Sequence, residues 1–165
     1  MATHDLAAER LWQLLDYDDL SGTFAWRFTR GGKSKLGSKV GGLVDGYVKI
    51  MIDGKTYAAH RLAFLYMTGQ WPQYEIDHIN GVRSDNKWKN LRDVEHAANT
   101  ENTHRARITN HVGLLGVSAH HRSARFRARI RTQGKLIQLG WFDTPQEAHA
   151  AYVTAKRRIH VGCTI

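Results

Sequence analysis

The chain has 165 residues, 42% of them hydrophobic, with five Trp, one cysteine and a formal net charge of +9. That apolar content supports a folded core and argues against wholesale disorder, in a length that fits one domain or two small ones. The lone Cys163 excludes an intramolecular disulfide and a Cys-rich zinc site.

Met1 to Arg10 is polar and lacks the basic-then-apolar layout of a signal peptide. No apolar run approaches the roughly 20 residues of a membrane span. The expectation is a soluble, cytoplasmic protein without a membrane partner. Leu6, Leu11, Trp12, Leu14 and Leu15 recur at helical spacing and predict a short amphipathic helix over 5–16. Asp16 to Gly22 reads as a turn-rich break and Thr23 to Phe28 as a strand. Gly31 to Gly42, with five glycines, two serines and three lysines, reads as a basic loop. It is either a phosphate-tracking loop or a solvated connector.

Tyr47 to Ile52 and Lys55 to Ala59 flank Asp53-Gly54, the signature of a tight hairpin. His60 to Thr68 follows as a helix closed by Gly69. His60 and Arg61 stand at its start, where a helix favours anions, and are candidate phosphate contacts or structural residues. From Tyr74 the order predicted is strand, loop, strand (Asn90–Val94), then a helix from about Glu95 to Arg105.

Within that stretch Asp77 and His78 are adjacent, with Asn90 and Asn99 downstream. Hydrolysis of a phosphodiester needs a nucleophilic water and positive charge on the leaving oxygen. A carboxylate and an amide oxygen are hard donors, so Asp77 and Asn99 are candidate ligands for Mg²⁺ or Mn²⁺ rather than zinc. His78 is the candidate general base, and Asn90 is expected to fix the orientation of its imidazole.

After a linker from Arg107 to Gly113, residues 108–165 hold nine Lys/Arg against two acids, a surplus of seven. The remaining residues hold 15 against 13. In Arg125 to Arg131 every odd position is arginine and every even one apolar, so a strand would project Arg125, Arg127, Arg129 and Arg131 from one face. Such a face points to a polyanion, double-stranded DNA rather than a small-molecule substrate. Gln133-Gly134 turns the chain, and Lys135 to Trp141 returns as a second strand. Thr144-Pro145-Gln146-Glu147 is a capping box. The helix it opens carries Ala148, Ala151, Tyr152, Ala155 and Ile159 on one side.

Tyr74 to Asn102 (YEIDHINGVRSDNKWKNLRDVEHAANTEN) resembles the HNH nuclease motif, in the His-Asn-Asn form of phage and intron-encoded homing endonucleases. Gly46 to Thr68, with Tyr47-Val48 and His60-Arg61-Leu62, resembles the same group. The resemblance implies a ββα-metal site in which Asp77 and Asn99 match the metal ligands, His78 the base and Asn90 the middle asparagine. It implies Mg²⁺-dependent double-strand cleavage or nicking of DNA. Gly116-Val117, Phe126 to Ile130, Leu139 to Thr144 and Glu147 to Tyr152 resemble an AP2 DNA-binding domain, a three-stranded antiparallel sheet on one helix. There Arg122 and Gln138 would add DNA contacts to the arginine face.

The fold expected is therefore α+β: a nuclease domain at 1–107, a linker at 108–114 and an AP2-like domain at 115–165. The activity expected is that of a phage homing endonuclease, monomeric or homodimeric, in the cytoplasm of the host cell. The alternatives are a non-catalytic DNA-binding regulator and a phage restriction or packaging-associated nuclease.

Overall fold

The computed structural model describes residues 6–29, 31, 35–96, 99, 103, 106–160 and 163. The architecture is mixed α and β, and the chain divides into two compact units, Met1–Val94 and Glu95–Ile165. That boundary falls upstream of the linker expected at 108–114, and groups His96 and Asn99 with the second unit.

In the first unit, helix α1 (Ala8–Leu14) buries Ala8, Leu11 and Leu14. Trp12 stays at the surface and donates its indole N–H to the Tyr66 carbonyl at 2.9 Å. The turn-rich break expected at Asp16 to Gly22 is in part a strand: β1 (Leu15–Asp18) pairs antiparallel with β2 (Thr23–Trp26). The acids of Leu15-Asp-Tyr-Asp mask an alternation in which Leu15 and Tyr17 face inward, so the hairpin turn is shorter than expected. β2 also pairs with β3 (Lys39–Val40).

A second sheet has the order β4 (Gly42–Val44), β5 (Tyr47–Ile52), β6 (Lys55–Ala58). Both of its turns place two residues at positive φ, Asp45 and Gly46 at 53° and 82°, Asp53 and Gly54 at 47° and 78°. That geometry matches the strand twist of two-residue hairpins. Helix α2 (Ala59–Thr68) follows at once, buries Ala59, Leu62, Ala63 and Leu65, and ends at Gly69 in the left-handed conformation.

β7 (Glu75–His78) and β8 (Leu91–Val94) then form a two-stranded antiparallel ladder with Asp77 opposite Arg92 and His78 opposite Leu91. A single 3₁₀ turn, Trp88–Asn90, leads into β8, so Asn90 stands before the strand rather than in it. One hydrophobic core joins α1, the hairpins and α2 to Ile76 and Leu91. Full burial of each large aliphatic side chain there is worth about 1.5–3 kcal/mol, which is what fixes the ladder on its support.

The second unit has an antiparallel sheet of order β11 (Lys135–Phe142), β10 (Phe126–Thr132), β9 (Val117–Ala119). Helix α3 (Pro145–Ile159) carries the expected capping box between Thr144 and Glu147. Its buried line is Ala148, Tyr152 and Lys156, whereas Ile159, expected on that side, is 38% exposed. Residues four apart lie above one another on a helix, and Lys156 reaches inward to donate to the Thr103 carbonyl. His96 and Asn99 are helical, and the Asn99 N–H donates to the Glu95 carbonyl at 3.1 Å. Much of the helix expected at 95–105 lies outside the described residues. Among the described residues no helix is long and apolar enough to cross a membrane.

Candidate active site

The β7–β8 ladder and the loop between its strands hold the candidate chemistry of the first unit. Asp77 and His78 are both buried. As neighbours on a strand they leave it on opposite sides. Asp77 meets its cross-strand partner: Arg92 Nε and Nη2 donate to Asp77 Oδ2 at 2.9 and 2.7 Å. Removing Arg92 would leave the buried Asp77 carboxylate without this ion pair, at a cost of about 3–5 kcal/mol.

His78 Nε2 lies 3.1 Å from Asn86 Oδ1. An amide oxygen can only accept, so Nε2 carries the proton and Nδ1 presents a lone pair. Burial holds the His78 pKa below the usual histidine value, against a smaller upward pull from the Asn86 hydrogen bond and from Asp77. The ring is therefore neutral at neutral pH, as a base must be before it accepts a proton.

Asn90 makes no hydrogen bond to the imidazole among the described residues. Its Nδ2 donates to the Asn80 side chain and the Asp85 carbonyl at 3.0 and 2.7 Å, and its Oδ1 accepts from the Asn80 N–H at 3.0 Å. It thus closes the 80–90 loop across its neck, and the imidazole partner is Asn86. A cue for Asn86 was present in the sequence, since it lies in the same loop, but nothing local distinguishes it from Asn80 or Asn90.

Asn86 is itself 2% exposed and held by residues distant in sequence. Tyr17 donates its hydroxyl to the Asn86 carbonyl, and the Trp88 N–H donates to the Asp19 carbonyl at 3.1 Å. Gly22, at φ 72°, packs so closely that a Cβ there would stand 2.4 Å from the Asn86 carbonyl carbon and the Lys87 nitrogen. The β1–β2 hairpin is thus a brace for the loop.

His60 lies in the same cluster, with its ring 5.1 Å from that of His78 in an edge-on contact and 5.4 Å from Tyr47. Burial, then the neighbouring His78 and Arg61, lower its pKa to about 4. It is neutral at pH 7 and offers no cation to a phosphate. Its Nδ1 is buried without a hydrogen-bond partner among the described residues. Arg61 lies over the Trp71 ring at 5.7 Å, half-buried.

Asn99 belongs to the second unit. Among the described residues no group of three or more His, Cys, Asp or Glu is gathered as a metal cage. The oxygen pair expected, one carboxylate and one amide, is of a kind that suits a hard dication whose remaining positions are filled by water and phosphate.

In the second unit β10 places Ala128 and Ile130 in the core and turns its arginines the other way. Arg127 lies over the Trp141 ring at 5.4 Å, and its Nε is buried with no hydrogen-bond partner among the described residues. Arg129 pairs across to Gln138, past a bulge between Ala128 and Arg129. Burial, and then the like charge of Arg127, weaken the hold of Arg129 on its proton. Arg131 donates to the Gly134 carbonyl, and Arg125 reaches the Trp141 carbonyl and Asp143. Arg122 and Gln138 are exposed.

Residues 57–101 match the family model described as HNH endonuclease. That match takes in α2, the whole ladder with Asp77, His78, Asn86 and Asn90, and Asn99. It supports a nuclease, with nucleic acid as the substrate it implies. No curated protein and no solved structure gives a significant match to the chain.

Proposed function

We propose that the protein is a site-specific DNA endonuclease that hydrolyses phosphodiester bonds at His78, of the phage homing type, with the arginine face of β10 reading double-stranded DNA. The observation that carries the reading is the buried His78, whose Nε2 lies 3.1 Å from Asn86 Oδ1, a contact that suits a neutral imidazole with Nδ1 as the base.

His78 Nδ1 takes a proton from a water, whose oxygen forms a bond to phosphorus as the bond to the 3′ oxygen breaks and that oxygen takes a proton from solvent. The products are a 5′-phosphate and a 3′-hydroxyl. Asp77 and Asn99 would hold a Mg²⁺ or Mn²⁺ ion, which supplies positive charge for the leaving oxygen. Arg92 holds the Asp77 carboxylate in place through Oδ2. Asn90 keeps the loop closed, so that Asn86 stays under the imidazole. In the second unit Arg127, Arg129 and Arg131, with Gln138 beside them, form an AP2-like reading surface, to which Arg122 and Arg125 contribute from its edge. Arginine suits both phosphate and the guanine edge.

The Asp77–Arg92 ion pair favours one other reading, a DNA-binding regulator that keeps the fold as a scaffold, because an arginine already neutralises the carboxylate. Incubation of the full chain with supercoiled plasmid carrying candidate target DNA separates the two. Cleavage should require Mg²⁺ and stop with EDTA, and His78→Ala should slow it by about 10²–10⁴-fold. A wild-type protein that binds but never cuts would establish the scaffold reading instead, and a His78→Ala protein that cuts equally well would remove His78 as the base.

A further inference from the structure

The β7–β8 loop carries one arginine, Arg83, and the side chain is seated rather than loose. Its guanidinium carbon stands 5.1 Å from the centroid of the Tyr47 ring. Its stem lies over the Asp45-Gly46 turn, where a Cβ on Gly46 would be in ordinary contact with Arg83 Cδ at 3.7 Å. Tyr47 is in turn 6.2 Å from the His78 ring and 5.4 Å from His60. One half-buried aromatic therefore lies near both the His78 imidazole and the Arg83 guanidinium. Among the described residues the Arg83 guanidinium makes no hydrogen bond and no ion pair, although Asp85 lies in the same loop and bonds Asn80 and Lys87 instead.

An exposed arginine held by stacking, with its N–H fork unused, is prepared for an anion with two oxygens to offer. Seating on the ring removes in advance part of the rotamer entropy that binding would otherwise cost. We propose that Arg83, seated on Tyr47, binds the phosphate brought to His78 and stabilises the negative charge that builds on its oxygens during hydrolysis. This rests on the nuclease reading above.

The test compares full-length variants in two assays: single-turnover plasmid cleavage at saturating protein with Mg²⁺, and binding of a short duplex in EDTA. Arg83→Ala should slow cleavage about 100-fold, the scale of losing one preorganised donor to a developing anion. Duplex affinity should fall only about 3-fold, as for one phosphate contact. Arg83→Lys keeps the charge but not the planar N–H fork, and should recover only part of the rate. Tyr47→Leu should reproduce the loss, Tyr47→Phe should recover most of it, and Arg83→Ala with Tyr47→Leu should be no slower than either alone. If Tyr47→Leu does not fold, the two Arg83 variants decide, since that side chain is exposed. Wild-type cleavage matched by Arg83→Ala overturns this proposal and leaves the nuclease reading standing. So does an affinity loss as large as the rate loss, which would make Arg83 an ordinary backbone contact. A wild-type protein that never cuts removes the nuclease reading itself.

Discussion

Adjacent residues on a strand face opposite ways, and β7 uses this to give Asp77 and His78 separate surroundings. The carboxylate meets an arginine, and the imidazole meets an amide oxygen. The second contact fixes both the plane and the tautomer of the ring, and it is the one most directly open to test. In Asn86→Ala the acceptor is gone, and maximal cleavage should fall about 10- to 100-fold, the usual cost of losing a group that orients an imidazole. The acid limb of the rate profile should also move. In the proposed mechanism cleavage needs Nδ1 unprotonated, so the rate should drop as pH falls through the His78 pKa. Burial already places that value below the ordinary one, while the Asn86 hydrogen bond raises it. Its removal should shift the limb to still lower pH. A limb that stays in place, or moves upward, would show that Asn86 does not act on the base.

At the scale of elements, the site loop depends on a hairpin that ends about sixty residues earlier in the chain. Tyr17, Asp19 and Gly22 of the β1–β2 hairpin hold the backbone of Asn86 and Trp88. Gly22 and Gly54 both have positive φ, but only Gly22 faces backbone at 2.4 Å, while Gly54 has nothing within 4 Å. Gly22→Ala should therefore cost about 3 kcal/mol in urea unfolding, combining strain at positive φ with overpacking. Gly54→Ala should cost only about 1 kcal/mol, from φ alone. Gly22→Ala should in addition slow cleavage, because the shift it forces reaches Asn86. Equal stability losses for the two variants would argue against the brace.

For the whole molecule the decisive fact is the uneven charge, a surplus of seven in residues 108–165 out of a total of +9. On β10 that charge is aligned, with the guanidinium of Arg127 held against Trp141 and Arg129 two residues along the same face. Removing one arginine that meets a phosphate should reduce the salt dependence of binding by about one unit of log–log slope. Arg127→Ala combined with Arg129→Ala should flatten the slope by about two if both meet phosphate. It should leave His78 chemistry intact at saturating protein. An unchanged slope would show that the DNA-binding surface lies elsewhere.

The features legible in the sequence were those that short stretches of chain decide. Asp53-Gly54 announced its hairpin, Gly69 its helix end, and Thr144 to Glu147 their capping box. The arginine alternation of β10 survived because a strand has a two-residue period and the apolar half of the pattern, Ala128 and Ile130, had a core to enter. The acid–histidine pair also stood out, because few residue types can bind a cation or move a proton. What the sequence left undetermined was every contact set by residues far apart. Asp16 to Asp18 looked like part of a turn because its acids hid a two-residue alternation. Asn86 could not be told from Asn80 or Asn90 until Tyr17, 69 residues away, was seen to anchor it. Arg92 met Asp77 only through the strand register, and Arg83 met Tyr47 only because two separate turns came together. The sequence by itself determined which chemical groups this protein has and which local elements carry them. The tertiary structure alone decided which asparagine holds the His78 imidazole and which arginine is left unpaired near it among the described residues, because burial and long-range packing select among side chains that are locally equivalent.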